Sequence, residues 1–216
     1  MSKWKDSKYF KLNVVTTLFC LISVVIGIVF YSQMPEQMPI HFNAAGQVDN
    51  YASKESALFG LPIFMMVIHV ICCVVAGADP KRVNQPEIMQ YLVRLIVPVL
   101  SIVVQSVVIM YVLDDGINVG KVITVAVGVL FLIIGNYLPK VKRNYTIGIK
   151  VPWTLSSDEN WNKTHRMAGT LMVLAAIILI ISGLMEYSII GVAALLAAAV
   201  CPMIYSFVLY KRQQNN

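Results

Sequence analysis

Charged side chains are scarce, at 13% of 216 residues, where an ordinary soluble domain carries roughly a quarter. That shortage excludes a water-soluble globule, because too few groups remain to keep its surface hydrated. No Asp or Glu falls deep inside any long apolar stretch, which excludes paired intramembrane carboxylates of the kind used in proton relays. Cysteine is limited to Cys20, Cys72, Cys73 and Cys201, all within apolar stretches and none at a zinc-like spacing. They read as small apolar packing, not as a disulfide framework. The H-E-x-x-H and G-x-S-x-G signatures are absent, so the chain offers no catalytic residue, no metal site and no cofactor motif.

What is present is apolar. Hydrophobic residues make up 58% of the chain and mean hydropathy is +0.72. Six stretches approach the roughly 20 residues needed to cross a hydrocarbon core: about Leu12–Tyr31, Ala57–Ala78, Leu92–Leu113, Val122–Leu138, Gly169–Met185 and Ser188–Tyr210. The first is too long for a signal-peptide core and no cleavage pattern follows it, so it is expected to stay as a span. The expected fold is therefore an all-α bundle of six transmembrane helices. If both termini lie inside, 15 of the 17 Lys and Arg fall on inner segments, and only Lys54 and Lys121 lie outside. The positive-inside rule then assigns cytoplasmic termini in a bacterial cell membrane. The net charge of +6 reads as topology and as affinity for anionic lipid, with the cations too dispersed for direct nucleic-acid binding.

The chain divides into an N-terminal three-span half, 1–113, and a C-terminal half, 114–216. Each half holds one long connector: an outer loop at 32–56 and an inner loop at 139–168. Pro35 and Pro39 favour an extended entry to the outer loop, with a short strand at Ile40-His41-Phe42. A turn is expected at Asn43-Ala44-Ala45-Gly46, with Asn50 or Ser53 capping the second span. The inner loop is expected to be ordered and non-helical from Lys140 to Leu155. A capping box of Ser156 and Glu159 then starts a helix that carries Trp161, His165 and Ala168 on one face. Trp153 and Trp161 suit the headgroup layer. The two loops, on opposite sides and each after a hydrophobic-Pro pair, have the outline of an inverted 3+3 repeat.

Few polar groups occur within the spans. His69 is the most central ionisable residue and is expected as a neutral imidazole bonded to a neighbouring helix. Ser101, Gln105, Ser106 and Asn136 read as interhelical hydrogen bonds, and Arg94 as a headgroup anchor. His41, His69 and His165 are assigned outside, core and inside, so they cannot share one ion. Asp158, Glu159, His165 and Arg166 read as a capped, solvated helix start rather than as catalytic groups.

Residues from about 122 to 185 resemble the SdpI family of bacterial membrane proteins. The matching elements are Gly135-Asn136-Tyr137, Asn144, Ile147-Gly148, Pro152-Trp153-Thr154-Leu155, Trp161, Thr164-His165-Arg166 and Gly169. Residues of about 15–62 resemble the small domain of unknown function that often precedes it, through Pro35, Pro39, His41-Phe42-Asn43, Gly46, Asp49, Tyr51 and Ser53-Lys54. Tyr51 stands where that domain is expected to carry tryptophan. The resemblance implies immunity to a secreted toxic peptide. It also implies signalling, in which the toxin-occupied protein holds a DNA-binding repressor at the membrane. The outer loop would then meet the peptide, and Trp153, Trp161, His165 and Arg166 would face a cytoplasmic partner. Two other readings stay open. One is a small transporter or channel, with His69, Gln105 and Asn136 facing one aqueous cavity; the other is a membrane enzyme using the inner loop.

Overall fold

The computed structural model describes residues 7–43, 46–114 and 117–214. Residues 44 and 45 of the expected outer turn, and Lys3 and Lys5 of the basic N-terminus, lie outside the described residues. The elements in chain order are α1 (Ser7–Phe30), β1 (Gln37–Phe42), β2 (Val48–Ser53), α2 (Leu61–Ala78), α3 (Glu87–Leu113), α4 (Val119–Tyr137), α5 (Pro152–Ser156), α6 (Asp158–Leu184) and α7 (Ser188–Gln214). Among the described residues, six helical segments are long and apolar enough to cross a bilayer, and the chain is a multi-pass membrane protein. Residues such as Val25, Ile28, Val29 and Leu196, 53 to 63% exposed, are the lipid-facing surface of these helices. Contacts divide the chain into two compact units, one of residues 1–78 and 91–123, the other of 79–90 and 124–216.

In the first unit, buried polar side chains tie α1 to α2 and α3. Thr16 Oγ1 and His69 Nε2 lie 3.1 Å apart, and Ser23 meets Ser101 at 2.9 Å. All four are at most 3% exposed, so each bond replaces a lost bond to water. His69 is thus the expected interhelical partner. Arg94 differs from expectation. It is 1% exposed, and its Nε donates to Asn13 Oδ1 at 2.6 Å while its guanidinium lies over Tyr9. It locks α3 to α1 instead of reaching for headgroups.

Beyond α1 the chain makes an antiparallel hairpin pairing Gln37 with Ser53, Met38 with Ala52 and Pro39 with Tyr51, and bulging after Pro39. Asn43 organises the turn, its Oδ1 accepting from Gln47 N, and Gly46 supplies φ of +75°. Met38 packs with Met34, Ala57, Leu58 and Ile109, so one strand face caps the helices. Ser53 Oγ accepts from Ser56 N at 3.3 Å at the entry to the second span; Asn50 instead lies in β2. A π-helical turn at Ser56–Gly60 follows, its Leu58 carbonyl accepting from Gln105 Nε2 at 3.4 Å.

The second unit is centred on α6, whose most apolar stretch is 39% buried, more than in any other span. Glycines allow its neighbours to close on it. A Cβ on Gly135 of α4 would stand 2.9 Å from Val173 N, and one on Gly169 would stand 2.7 Å from Gly135 O. Buried Asn160 joins α6 to α7, donating to Ser206 O at 3.0 Å and accepting from Ser206 Oγ at 2.6 Å.

Two stability predictions follow from this packing. Gly169→Val should lower the detergent Tm by several degrees or prevent folding, because backbone must move. Gly77→Ala, whose Cβ meets nothing within 4 Å, should leave the Tm unchanged or raise it. At the hairpin base, the Tyr31 hydroxyl donates to Glu55 at 2.7 Å and holds that carboxyl below its usual range. A lowered carboxyl contributes stability above its unfolded value and loses it as pH falls through the folded value. Glu55→Gln should therefore lower the Tm at pH 7, with the gap to the parent shrinking below about pH 4.

Candidate functional site

The connector after α4 is the most densely bonded irregular segment of the second unit. It opens with a tight turn at Leu138–Lys140, where Pro139 packs on Gly169. The chain then runs under the start of α6. Trp161 is 0% exposed and its indole N–H donates to Val141 O at 2.8 Å. His165, one helical turn on, stacks on Trp161 with ring centroids 4.0 Å apart and planes 18° apart.

Gly148 sits directly against this stack. Its φ of +104° is the region that favours glycine. A Cβ there would collide with His165 Nε2 and stand 3.3 Å from Trp161 Cζ2. Two independent constraints therefore select glycine at this position. The adjacent Ile149 N–H donates to His165 Nε2 at 3.0 Å, while His165 Nδ1 faces the Trp161 carbonyl at 2.8 Å. One ring nitrogen accepts and the other donates, which fixes a neutral imidazole in its Nδ1–H tautomer.

Asn144 folds the outer part of the loop. It is 1% exposed, donates to Lys142 O and Ile147 O, and accepts from Thr146 N and Ile147 N. All four of its hydrogen-bonding positions are filled. Thr154, 0% exposed, donates to Ile149 O at 2.8 Å and accepts from Val151 N at 3.1 Å. Pro152 opens α5, and Trp153 packs edge-on against Phe207 of α7. Arg143 reaches Asp158 at 2.7 Å and Leu155 O at 2.7 Å.

The loop between α2 and α3 completes the arrangement. Asp79, 5% exposed, accepts from Tyr145 N at 3.0 Å, Thr146 Oγ1 at 2.7 Å and Lys81 N at 2.8 Å. Gln85 pairs with the Lys142 backbone through both amide atoms, at 2.8 and 3.0 Å. Sequence reasoning missed both residues. The available signal was an acid directly after a span, in a segment that is otherwise basic.

Several expectations change. Trp161 and His165 are wholly buried, so they brace the loop and do not face a headgroup layer or a partner. Arg166 is exposed, and Asn136 points away from the packed interior instead of joining helices. The cap of α6 is Ser157, which accepts from Asn160 N at 3.2 Å; Ser156 ends α5, and Glu159 pairs with Lys163 at 2.6 Å. A helix at Pro152–Ser156 replaces part of the expected non-helical run. His69 and Gln105 are both spent on bonds between helices of the first unit. Among the described residues no group of three or more His, Cys, Asp and Glu is arranged to hold a metal ion.

On the hairpin of the first unit, His41 Nδ1 lies 2.5 Å from Asp49 Oδ1, with both side chains largely exposed. Lys54 is turned inward between Glu36, at 3.0 Å, and the Tyr31 ring, its side chain 11% exposed. Pro35 is exposed and Pro39 is buried, while Phe42 packs on Tyr111. Tyr51 and Ile40 are left exposed, at 56 and 41%.

If Asp79 holds the connector, Asp79→Ala leaves up to three donors without an acceptor, at about 1–3 kcal/mol for each that stays buried. Trypsin should then cut the 140–157 segment at least about ten-fold faster, with Asp79→Asn intermediate. Cleavage at the parental rate would show that the carboxylate does not hold it.

Comparison with known proteins gives two regional matches and one along most of the chain. Residues 140–206 match the SdpI/YfhL protein family, and residues 18–66 match a domain of unknown function, DUF1648. The chain is 23% identical over 205 residues to the "Immunity protein SdpI" of Bacillus subtilis (strain 168), covering 94% of this chain and 97% of that protein. No solved structure matches. The SdpI/YfhL match contains α5, the braced start of α6 and the Asn160–Ser206 tie, and the DUF1648 match contains the whole hairpin. With both regions in this order and the alignment running nearly end to end, the chain is similar to the SdpI family, through a family-model match in its C-terminal part and a likeness to an SdpI immunity protein along most of its length.

Proposed function

We propose that this protein confers immunity on the bacterial cell that carries it, protecting against a secreted toxic peptide. The observation that carries the reading is the alignment with an immunity protein over 94% of this chain and 97% of that one. The family is one of membrane immunity proteins and is not known for enzymes, and the reading needs no chemical step. In this reading both termini are cytoplasmic, as the distribution of Lys and Arg favours. The hairpin then stands outside the cell, and the braced connector stands inside.

The division of labour follows from what each element exposes. The hairpin buries Met38 and Pro39 and turns Tyr51, Ile40, His41 and Asp49 to solvent. It is the element offered to an external peptide. Exposed tyrosine suits such contacts, since its ring supplies area at little entropic cost. The connector, held by His165, Trp161, Asn144 and Asp79, is a rigid platform for relaying occupancy to a cytoplasmic repressor. Such a relay requires two states of the helical units, each with its own affinity for the peptide.

The test is survival. Cells lacking the gene should die in the presence of a native toxic peptide at concentrations that the parent strain tolerates. Tyr51→Ala combined with Ile40→Ser should lower the tolerated concentration by about ten-fold, with membrane levels unchanged. His165→Ala should lower the amount of intact protein as well, because it removes the brace. Equal survival with and without the gene, across a broad panel of peptides, would remove the immunity reading.

A further inference from the structure

Lipid accounts for most of the exposed apolar surface of this chain, but not for all of it. Outside the six spans, the large apolar residues left exposed among the described residues are Ile40 and Tyr51 on the hairpin, Val83 and Tyr145 on the connectors of the second unit, and Met185 and Tyr187 between α6 and α7. The pair on the second unit stands out for how firmly it is held. Tyr145 is 56% exposed, yet its backbone N–H is fixed by buried Asp79. Val83, 66% exposed, sits on the short turn Arg82–Asn84 between Asp79 and Gln85, both of which bond to the long connector.

Two lysines border Tyr145. The Lys81 ammonium lies 5.0 Å from the centre of the Tyr145 ring. Lys150 donates to Tyr145 O and Thr146 O, with its side chain at the surface. Asp79, the carboxylate that holds Tyr145, is 5% exposed and consumed by three internal donors, so it does not offset these charges. The result is an exposed aromatic ring bordered by ammonium groups, with an exposed aliphatic residue on the turn next to Lys81.

We propose that Tyr145, Val83, Lys81 and Lys150 form the docking face for a soluble protein partner, and that the partner presents an acidic segment with apolar anchors. Ammonium groups favour carboxylates and steer their approach. Tyr145 supplies a preordered ring of the kind that dominates interface energies. The proposal rests on the cytoplasmic placement of this face argued above, and it moves the contact from Trp161 and His165, which are buried, to residues that are accessible. The rival occupant of a basic, partly apolar patch is anionic lipid, which the experiment separates.

The probes are two labelled 15-residue peptides, one alternating Asp or Glu with Leu and Phe, the other its Lys-substituted counterpart. The full-length protein is placed in phosphatidylcholine nanodiscs. Binding of the acidic peptide alone is expected, weakening as salt is raised. Tyr145→Ala and Lys81→Glu should each weaken it about ten-fold or more, and Tyr145→Phe should leave it within about two-fold. Trypsin resistance of the connector, unchanged in Tyr145→Ala, excludes unfolding as the cause. No binding of the acidic peptide, parental binding by Tyr145→Ala and Lys81→Glu, or loss of that binding once phosphatidylglycerol is added would each overturn the proposal. Survival in the toxin assay reports separately: Tyr145→Ala should protect as the parent does. Failure of the immunity reading would appear as unprotected parent cells with peptide binding intact.

Discussion

A bilayer offers a polar atom no hydrogen-bonding partner, and buried polar side chains in both units are paired with one another around that constraint. In the first unit, Thr16 meets His69, Ser23 meets Ser101, and Asn13 meets Arg94. In the second, Asn160 spends its amide on Ser206 and Thr164. These bonds are modest individually, since the unfolded chain in a membrane also finds partners for such groups. Their effect is chiefly to select one arrangement of helices among many of similar apolar packing. Glycine provides the other half of that selection, through close approaches at Gly135, Gly169 and Gly191 that any larger residue would force apart.

The same constraint explains the long connector of the second unit. Irregular backbone that is buried away from water is tolerated only where its donors and acceptors are met. Here the partners are side chains: Asn144 and Thr154 from within the segment, His165 and Trp161 from α6, and Asp79 and Gln85 from the preceding loop. The Trp161–His165 stack supports Gly148, and Gly148 in turn lets Ile149 reach the imidazole. Removing one member leaves others unmatched, so the segment behaves as a single braced piece.

Much of this was legible in the sequence. Six apolar stretches became six helices, and the hairpin arose where Pro39 and the Asn43–Gly46 turn signal stood. Membrane-spanning length and turn chemistry are local properties, so a linear reading captures them. Partners distant in sequence are not local. The ties from Asp79 to Tyr145 and Thr146, and from Arg94 to Asn13, cross 66, 67 and 81 positions and could not be read from spacing. The roles of Trp161 and His165 were misjudged for the same reason. Tryptophan and histidine beside a span suit an interface by type, and only the folded backbone of 141–149 shows that they are covered. Cap placement erred by one residue, because Ser156 and Ser157 are equally good caps until α5 occupies the first.

The proposed function depends on one topology: the hairpin on one side of the membrane, with the 79–86 and 139–157 connectors on the other. Single cysteines at Tyr51 and at Tyr145, reacted with a membrane-impermeant maleimide, test it most directly. Tyr51→Cys should label on intact cells, and Tyr145→Cys only after the membrane is opened. Labelling of Tyr145→Cys on intact cells, with Tyr51→Cys protected, would contradict the account.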